Sequence, residues 1–161
     1  MGNRAVIACG TNDNDVGVYL HWNGGRKSID GFLAYCKAMR YRSPDRDCYG
    51  WACLVQTIRN WFGGDGLSCG IDTYDKLDTD NFDNGVYIIN GWKVVDRKFN
   101  RREDPKTSLD ELIEMITAIN QEQPVHSQLT EIEIKNAAID YLEQYNTPNS
   151  DKSDKPTKNG D

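Results

Sequence analysis

The sequence predicts an α+β fold, a small antiparallel sheet of hairpins packed with about four helices, and three observations lead there. Stretches rich in β-branched and aromatic residues recur near residues 4–9, 16–22, 86–90 and 93–99. Apolar residues at helical spacing occupy about 29–40, 49–62, 109–116 and 131–145. The two kinds of stretch do not alternate as regular βαβ units, so a doubly wound parallel sheet is not expected.

Each element has its own signal. Arg4 to Cys9 reads as a strand, the run from Gly10 to Asp15 as a turn, and Val16 to Trp22 as the second strand of a hairpin. Asn23-Gly24-Gly25 breaks that strand, and Ser28 is a candidate N-cap for a helix carrying Ile29, Phe32, Leu33 and Cys36. Trp51, Leu54, Val55, Ile58, Trp61 and Phe62 form one stripe, which makes the helix from Tyr49 to Phe62 the expected centre of the core. Gly63-Gly64 ends it. Leu67 to Ile71 is a short strand candidate, and Asn90-Gly91 marks a hairpin between two aromatic and β-branched runs. Ser108-x-x-Glu111 and Thr130-x-x-Glu133 are capping boxes that open the last two helices.

These elements fit one domain over residues 1–146, and the polar stretch 147–161 reads as a flexible tail. The 161 residues carry a formal net charge of -6, which disfavours bulk electrostatic binding of nucleic acid. No apolar run approaches the roughly 20 residues of a membrane helix. Neither a signal-peptide core nor a myristoylation pattern stands at the N-terminus, so a cytoplasmic, soluble chain without membrane contact is expected. The five cysteines are odd in number and lack a Cys-x-x-Cys pair. A disulfide framework and a zinc knuckle are therefore not expected, and Cys36, Cys53 and Cys69 read as small core residues.

Three constellations could carry function. The first is Trp22, Asn23, Gly24, Gly25 and Arg26, followed by Lys27 and Ser28. It combines an aromatic face, an amide, permissive glycines, a guanidinium and free N–H groups of a starting helix. An anionic ligand such as a nucleotide or another phosphorylated molecule needs that combination. The glycine spacing fits neither a Walker A loop nor a dinucleotide fingerprint, and the same residues would also serve as a tight structural corner. The second is acidic: Asp72, Asp75, Asp78, Asp80 and Asp83, opposed by Lys76. Phe82 occupies a ligand position of a calcium loop and no Glu closes it, so no metal is expected. The set is either a solvated loop or an interaction surface that imitates a phosphate track. The third is Arg97, Lys98, Arg101 and Arg102, offset by Glu103 and Asp104. It reads as a salt-bridged connection that could add phosphate ligands if it folds near Arg26.

The stretch Gly17-Val-Tyr-Leu-His-Trp-Asn-Gly-Gly25 resembles a motif of uncharacterised small proteins from phages, prophages and mobile elements, in which a hairpin ends in His-Trp-Asn/Asp-Gly and leads into a helix. The resemblance extends through Tyr49-Gly50-Trp51, Asp78 to Asn81 and the Gly91-Trp92 hairpin, covering roughly residues 3–100. It implies an accessory protein in a bacterial host cell, of a kind that often inhibits host defence, and it brings no catalytic residues. The expected function is that of a non-enzymatic binding protein without a cofactor. It would antagonise a bacterial defence system by engaging a host defence protein or by sequestering a nucleotide signal, a small anionic ligand. The alternative is a small enzyme acting on a nucleotide or phosphorylated metabolite, with His21 as acid or base.

Overall fold

Among the described residues, five strands and four α-helices form in the predicted order. They are β1 (Ala5–Ala8), β2 (Val16–Leu20), α1 (Arg26–Ala38), α2 (Cys48–Trp61), β3 (Cys69–Thr73), β4 (Val86–Asn90), β5 (Lys93–Lys98), α3 (Leu109–Gln121) and α4 (Glu131–Glu143). The computed structural model describes residues 2–64 and 68–146. The tail at 147–161 and Leu67, the first residue of the predicted strand, lie outside the described residues.

The sheet order is β3-β2-β1-β4-β5. Three of the pairings are antiparallel, while β1 and β4, at its centre, run parallel with Val6 opposite Val86 and Ala8 opposite Ile88. The sheet is therefore mixed rather than antiparallel throughout. β1 and β4 are far apart in sequence, and the stretch between them, β2, α1, α2 and β3, supplies the crossover that parallel pairing needs.

One face of the sheet meets the helices. Ile7, Val18, Leu20, Tyr87 and Ile89 pack with Phe32, Leu33, Leu54, Ile58, Leu112, Ile116 and Tyr141 in one cluster. The helix at its centre is α1, not α2: every residue from Ile29 to Cys36 is buried. On α2, Leu54 and Ile58 are fully buried, whereas Trp51, Val55, Trp61 and Phe62 are only partly covered. The stripe on α2 is real, but it lies against one flank. Asp30 and Lys37 hid the deeper burial of α1, because a charge in the middle of an apolar run lowers its apparent amphipathicity. The opposite face is smaller: Val6, Ala8, Val86 and Ile88, covered by Tyr19, Tyr74 and Leu77.

Two local expectations shift. Helix α1 begins at Arg26, with Gly25 as N-cap and the Ile29 N–H bonded to Gly25 O. Ser28 sits inside the first turn, where its Oγ accepts a 3.4 Å bond from Asn23 Nδ2 instead of capping. At the second hairpin, Asn90 stays in β4 opposite Lys93, and the turn is Gly91-Trp92 with a positive φ (60°) only at Gly91. That is the type II′ pattern rather than I′. Trp92 dictates the choice: it is buried, and its indole N–H reaches Tyr41 O at 2.9 Å.

Candidate functional site

The stretch that joins β2 to α1 divides into three kinds of residue. Trp22 is 43% exposed and stacks edge-on against His21, whose Nδ1 lies 3.2 Å from the Tyr19 hydroxyl. Asn23 turns the chain with a positive φ of 57°. Gly24 is wedged against β1. A Cβ there would stand 2.5 Å from Asn3 O and 2.7 Å from the Ala5 Cβ, and its carbonyl accepts the Tyr87 hydroxyl at 2.8 Å. No side chain fits at Gly24, so this glycine is structural. Gly25 differs: a Cβ there would meet only the Asn3 amide, at 3.4 Å.

Gly25, Arg26, Lys27 and Ser28 form one wall of a cleft of about 560 Å³. The other wall comes from the irregular segment between β5 and α3, through Arg102, Glu103, Pro105, Lys106 and Thr107. Four cationic side chains and two carboxylates, Glu103 and Glu111, line it. Trp22, Asn23 and Gly24 do not. The structure thus brings two of the five sequence-predicted residues, Gly25 and Arg26, into the cleft, with Asn23 one contact behind through Ser28.

Arg26 is not a free guanidinium. Its Nε lies 3.0 and 3.1 Å from the two Asp30 oxygens, and its Nη1 lies 2.8 Å from Asp104. Asp104 also takes Arg97 Nη1 at 2.7 Å. Asp30, 2% exposed, further accepts the Thr107 hydroxyl at 2.7 Å and the Tyr141 hydroxyl at 2.6 Å. Burial would lower the pKa of Arg26, but the charge of Asp30, followed by Tyr145 and Asp104, outweighs it and holds the group above its usual value. Arg26 therefore anchors the cleft rather than offering a bare charge. Arg102 is engaged by Asp83 at 2.7 Å, and Lys27 reaches Glu114 at 3.4 Å. Among the described residues Lys106 has no ion-pair partner, so it is the lining cation with a charge to spare.

The acidic set separates as well. Asp83 is buried between Arg4 Nε at 2.8 Å and Arg102. Burial raises its pKa, but the Arg4 side-chain and backbone hydrogen bonds and the nearby Arg102 charge hold the carboxyl below its usual value. Asp80 pairs with Arg101 at 2.9 Å. Asp72, Asp75 and Asp78 are exposed. Of the basic cluster, Arg97 lies under the Tyr87 ring at 3.6 Å and donates to Asn84 O and Val86 O. Lys98 pairs with Asp96. Only Arg102 of that cluster lines the cleft.

Sequence reasoning missed Asp30, Lys106 and Thr107; it named Asp104 as a salt-bridge partner of the basic cluster, which Arg97 bears out, but not its bond to Arg26. Asp30 left a signal, a lone carboxylate between Ile29 and Phe32 on an apolar helix face. Lys106 left none, because it comes from a segment without periodicity.

Three of the five thiols are poorly set for nucleophilic work. Burial pushes Cys9 and Cys36 up to about 12 and Cys69 up to about 11. All five cysteines are free. Among the described residues no group of three or more His, Cys, Asp or Glu could hold a metal ion, and no helix is long and apolar enough to cross a membrane. No family model, curated protein or solved structure matches the chain.

Proposed function

We propose that the protein binds a small phosphorylated ligand in the cleft between the start of α1 and the segment before α3, and releases it unchanged. The observation that carries this reading is the cationic lining of that cleft on a protein whose net charge is -6. Lys106 and Lys27 would meet the anion. Arg26 and Arg102, fixed by Asp30, Asp104 and Asp83, hold the two walls at their spacing. The first-turn N–H groups of α1 add donors, and no side-chain cap occupies them. In the phage or mobile-element setting that the His-Trp-Asn-Gly resemblance implies, such a protein would sequester a nucleotide signal of a bacterial defence system.

Equilibrium dialysis against a panel of radiolabelled nucleotides, with chromatography of the recovered label, tests this. The expected result is a retained, chemically unchanged nucleotide whose affinity falls roughly tenfold or more in Lys106→Ala. Gly25→Val should lower it too, by narrowing the wall. Conversion of the label would replace the binding protein with an enzyme. No retention of any nucleotide would overturn the ligand and leave engagement of a host protein.

A further inference from the structure

We propose that the edge of β3, unpaired among the described residues, is a docking site for an extended segment of a partner protein, taken up as a sixth strand, with Lys or Arg among the groove-facing residues at every second position. The proposal is independent of the anion cleft.

The register fixes which backbone groups are free. His21 N donates to Ser68 O at 3.0 Å, and the antiparallel register continues with Tyr19 opposite Gly70 and Gly17 opposite Asp72. Those alternate pairs exchange their bonds inward, so Cys69, Ile71 and Thr73 turn N–H and C=O away from β2. Thr73 N–H is taken by the Asp72 carboxylate at 2.8 Å. Ile71, in the middle of the strand, is 55% exposed.

The two edges of the sheet differ in how they are guarded. Strand β5 carries a register shift opposite Ile88 and Ile89 and bears Lys93, Arg97 and Lys98, which are the devices that blunt an edge. Strand β3 pairs over five consecutive residues without interruption, and holds no Pro, Lys or Arg. An unguarded edge accepts a chain in extended form, and only a backbone can satisfy its ladder groups.

The chemistry beside the edge specifies the chain. A groove of about 300 Å³ runs along it, lined by Tyr19, Ile71 and Leu77 with Gly70 between them and with Asp72, Asp78 and one cation, Lys76, at the sides, so carboxylates outnumber cations in its lining. No atom lies within 4 Å of where a Gly70 Cβ would stand, so the groove floor is open. Asp72, Asp78 and the neighbouring Asp75 are exposed and have no ion pair among the described residues. The apolar walls suit the stems of long side chains and the carboxylates suit their charged ends, so lysine and arginine fit both.

The test is selection of a displayed library of random eight-residue peptides on the immobilised full chain, followed by fluorescence anisotropy of the enriched peptides. Two variants separate the edge from the groove. Ile71→Pro removes an outward N–H that β2 does not use. Gly70→Lys places a cation on the groove floor, where the fold has room. Both should keep the far-UV circular dichroism of the parent. The expected result is enrichment of peptides with Lys or Arg alternating with apolar residues, with affinity falling roughly tenfold or more in each variant. No enrichment, enrichment of acidic peptides, or binding by either variant as tight as by the parent would overturn the proposal. A concentration-dependent dimer of the parent that Ile71→Pro abolishes would also overturn it, and would put a second copy at the edge.

Discussion

Two arginine–aspartate hubs tie the segment between β5 and α3 to the rest of the molecule, and they use the same chemistry at different depths. The hub at Asp30 is dry: the Arg26 side chain is 15% exposed and the Asp30 side chain 3%. The hub at Asp83 is half wet, because its carboxylate is buried but Arg4 and Arg102 are 31% and 44% exposed. Depth decides what each pair does. In the dry hub every charge depends on its partner, since water cannot replace it. In the wet hub water substitutes readily for a lost arginine. The dry hub should set the geometry of the cleft, and the wet hub should trim it.

The largest effect should come from breaking the dry hub. Asp30→Ala would leave Arg26 buried with Asp104 as its one carboxylate, would strand the Thr107 hydroxyl, and would leave the Tyr141 hydroxyl only its 2.9 Å bond with Tyr145. Losing one partner of a buried pair costs about 3–5 kcal/mol. Urea denaturation should show that loss in the midpoint. Arg26→Ala should cost nearly as much, so it cannot serve as a clean probe of ligand binding. A loss in Asp30→Ala no larger than in Arg102→Ala would mean that depth does not separate the hubs.

Next in size is the pair of adjacent glycines below the dry hub. Gly24→Ala forces a Cβ into the backbone of Asn3 and Arg4, and overpacking of this kind costs about 1–3 kcal/mol. Gly25→Ala meets only a side-chain amide and should change thermal stability little. Melting curves of the two variants check this. Equal losses would show that the turn gives as a unit.

The sequence made much of this fold legible, because its signals were local. The capping boxes at Ser108 and Thr130 form as written, with each side chain accepting from the third helical N–H and each Glu returning the bond. Gly63 and Gly64 end α2 with positive φ. What stayed hidden was non-local. The parallel contact of β1 with β4 joins strands some 80 positions apart, the Val6 and Val86 pair, and no window of sequence reports it. The candidate site followed the same rule. Gly25 and Arg26 could be read, whereas Lys106 enters from a segment positioned by Asp104 and Thr107, whose partners lie on α1 and β5. The motif's five residues look contiguous in sequence but point three ways in space, since Gly24 packs inward and Trp22 leaves the cleft wall.

The wet hub should give the smaller effects. Arg102→Ala removes a partly exposed partner of Asp83 and leaves Arg4 in place, so a loss of about 0–1 kcal/mol is expected. Its stability against urea, compared with that of Asp30→Ala in the same buffer, sharpens the contrast of depth.

The smallest effect is in the acid limb of the stability curve. Asp83 titrates in the folded chain below its ordinary value of 3.8, because the hydrogen bonds from Arg4 and the charge of Arg102 outweigh its burial. A carboxyl with a depressed folded value binds fewer protons folded than unfolded. Its contribution is complete above about pH 3.8 and drains away as pH falls through the lower, folded value. Glu111 and Glu133 add to the same limb, since the backbone N–H groups of Ser108 and Thr130 lower them too. Asp83→Asn cannot titrate, so its urea midpoint should fall less steeply than the parent's below about pH 4, while near neutral pH the variant is the less stable of the two. Parallel acid limbs for parent and variant would show that the wet hub gives Asp83 no preference for its charged form.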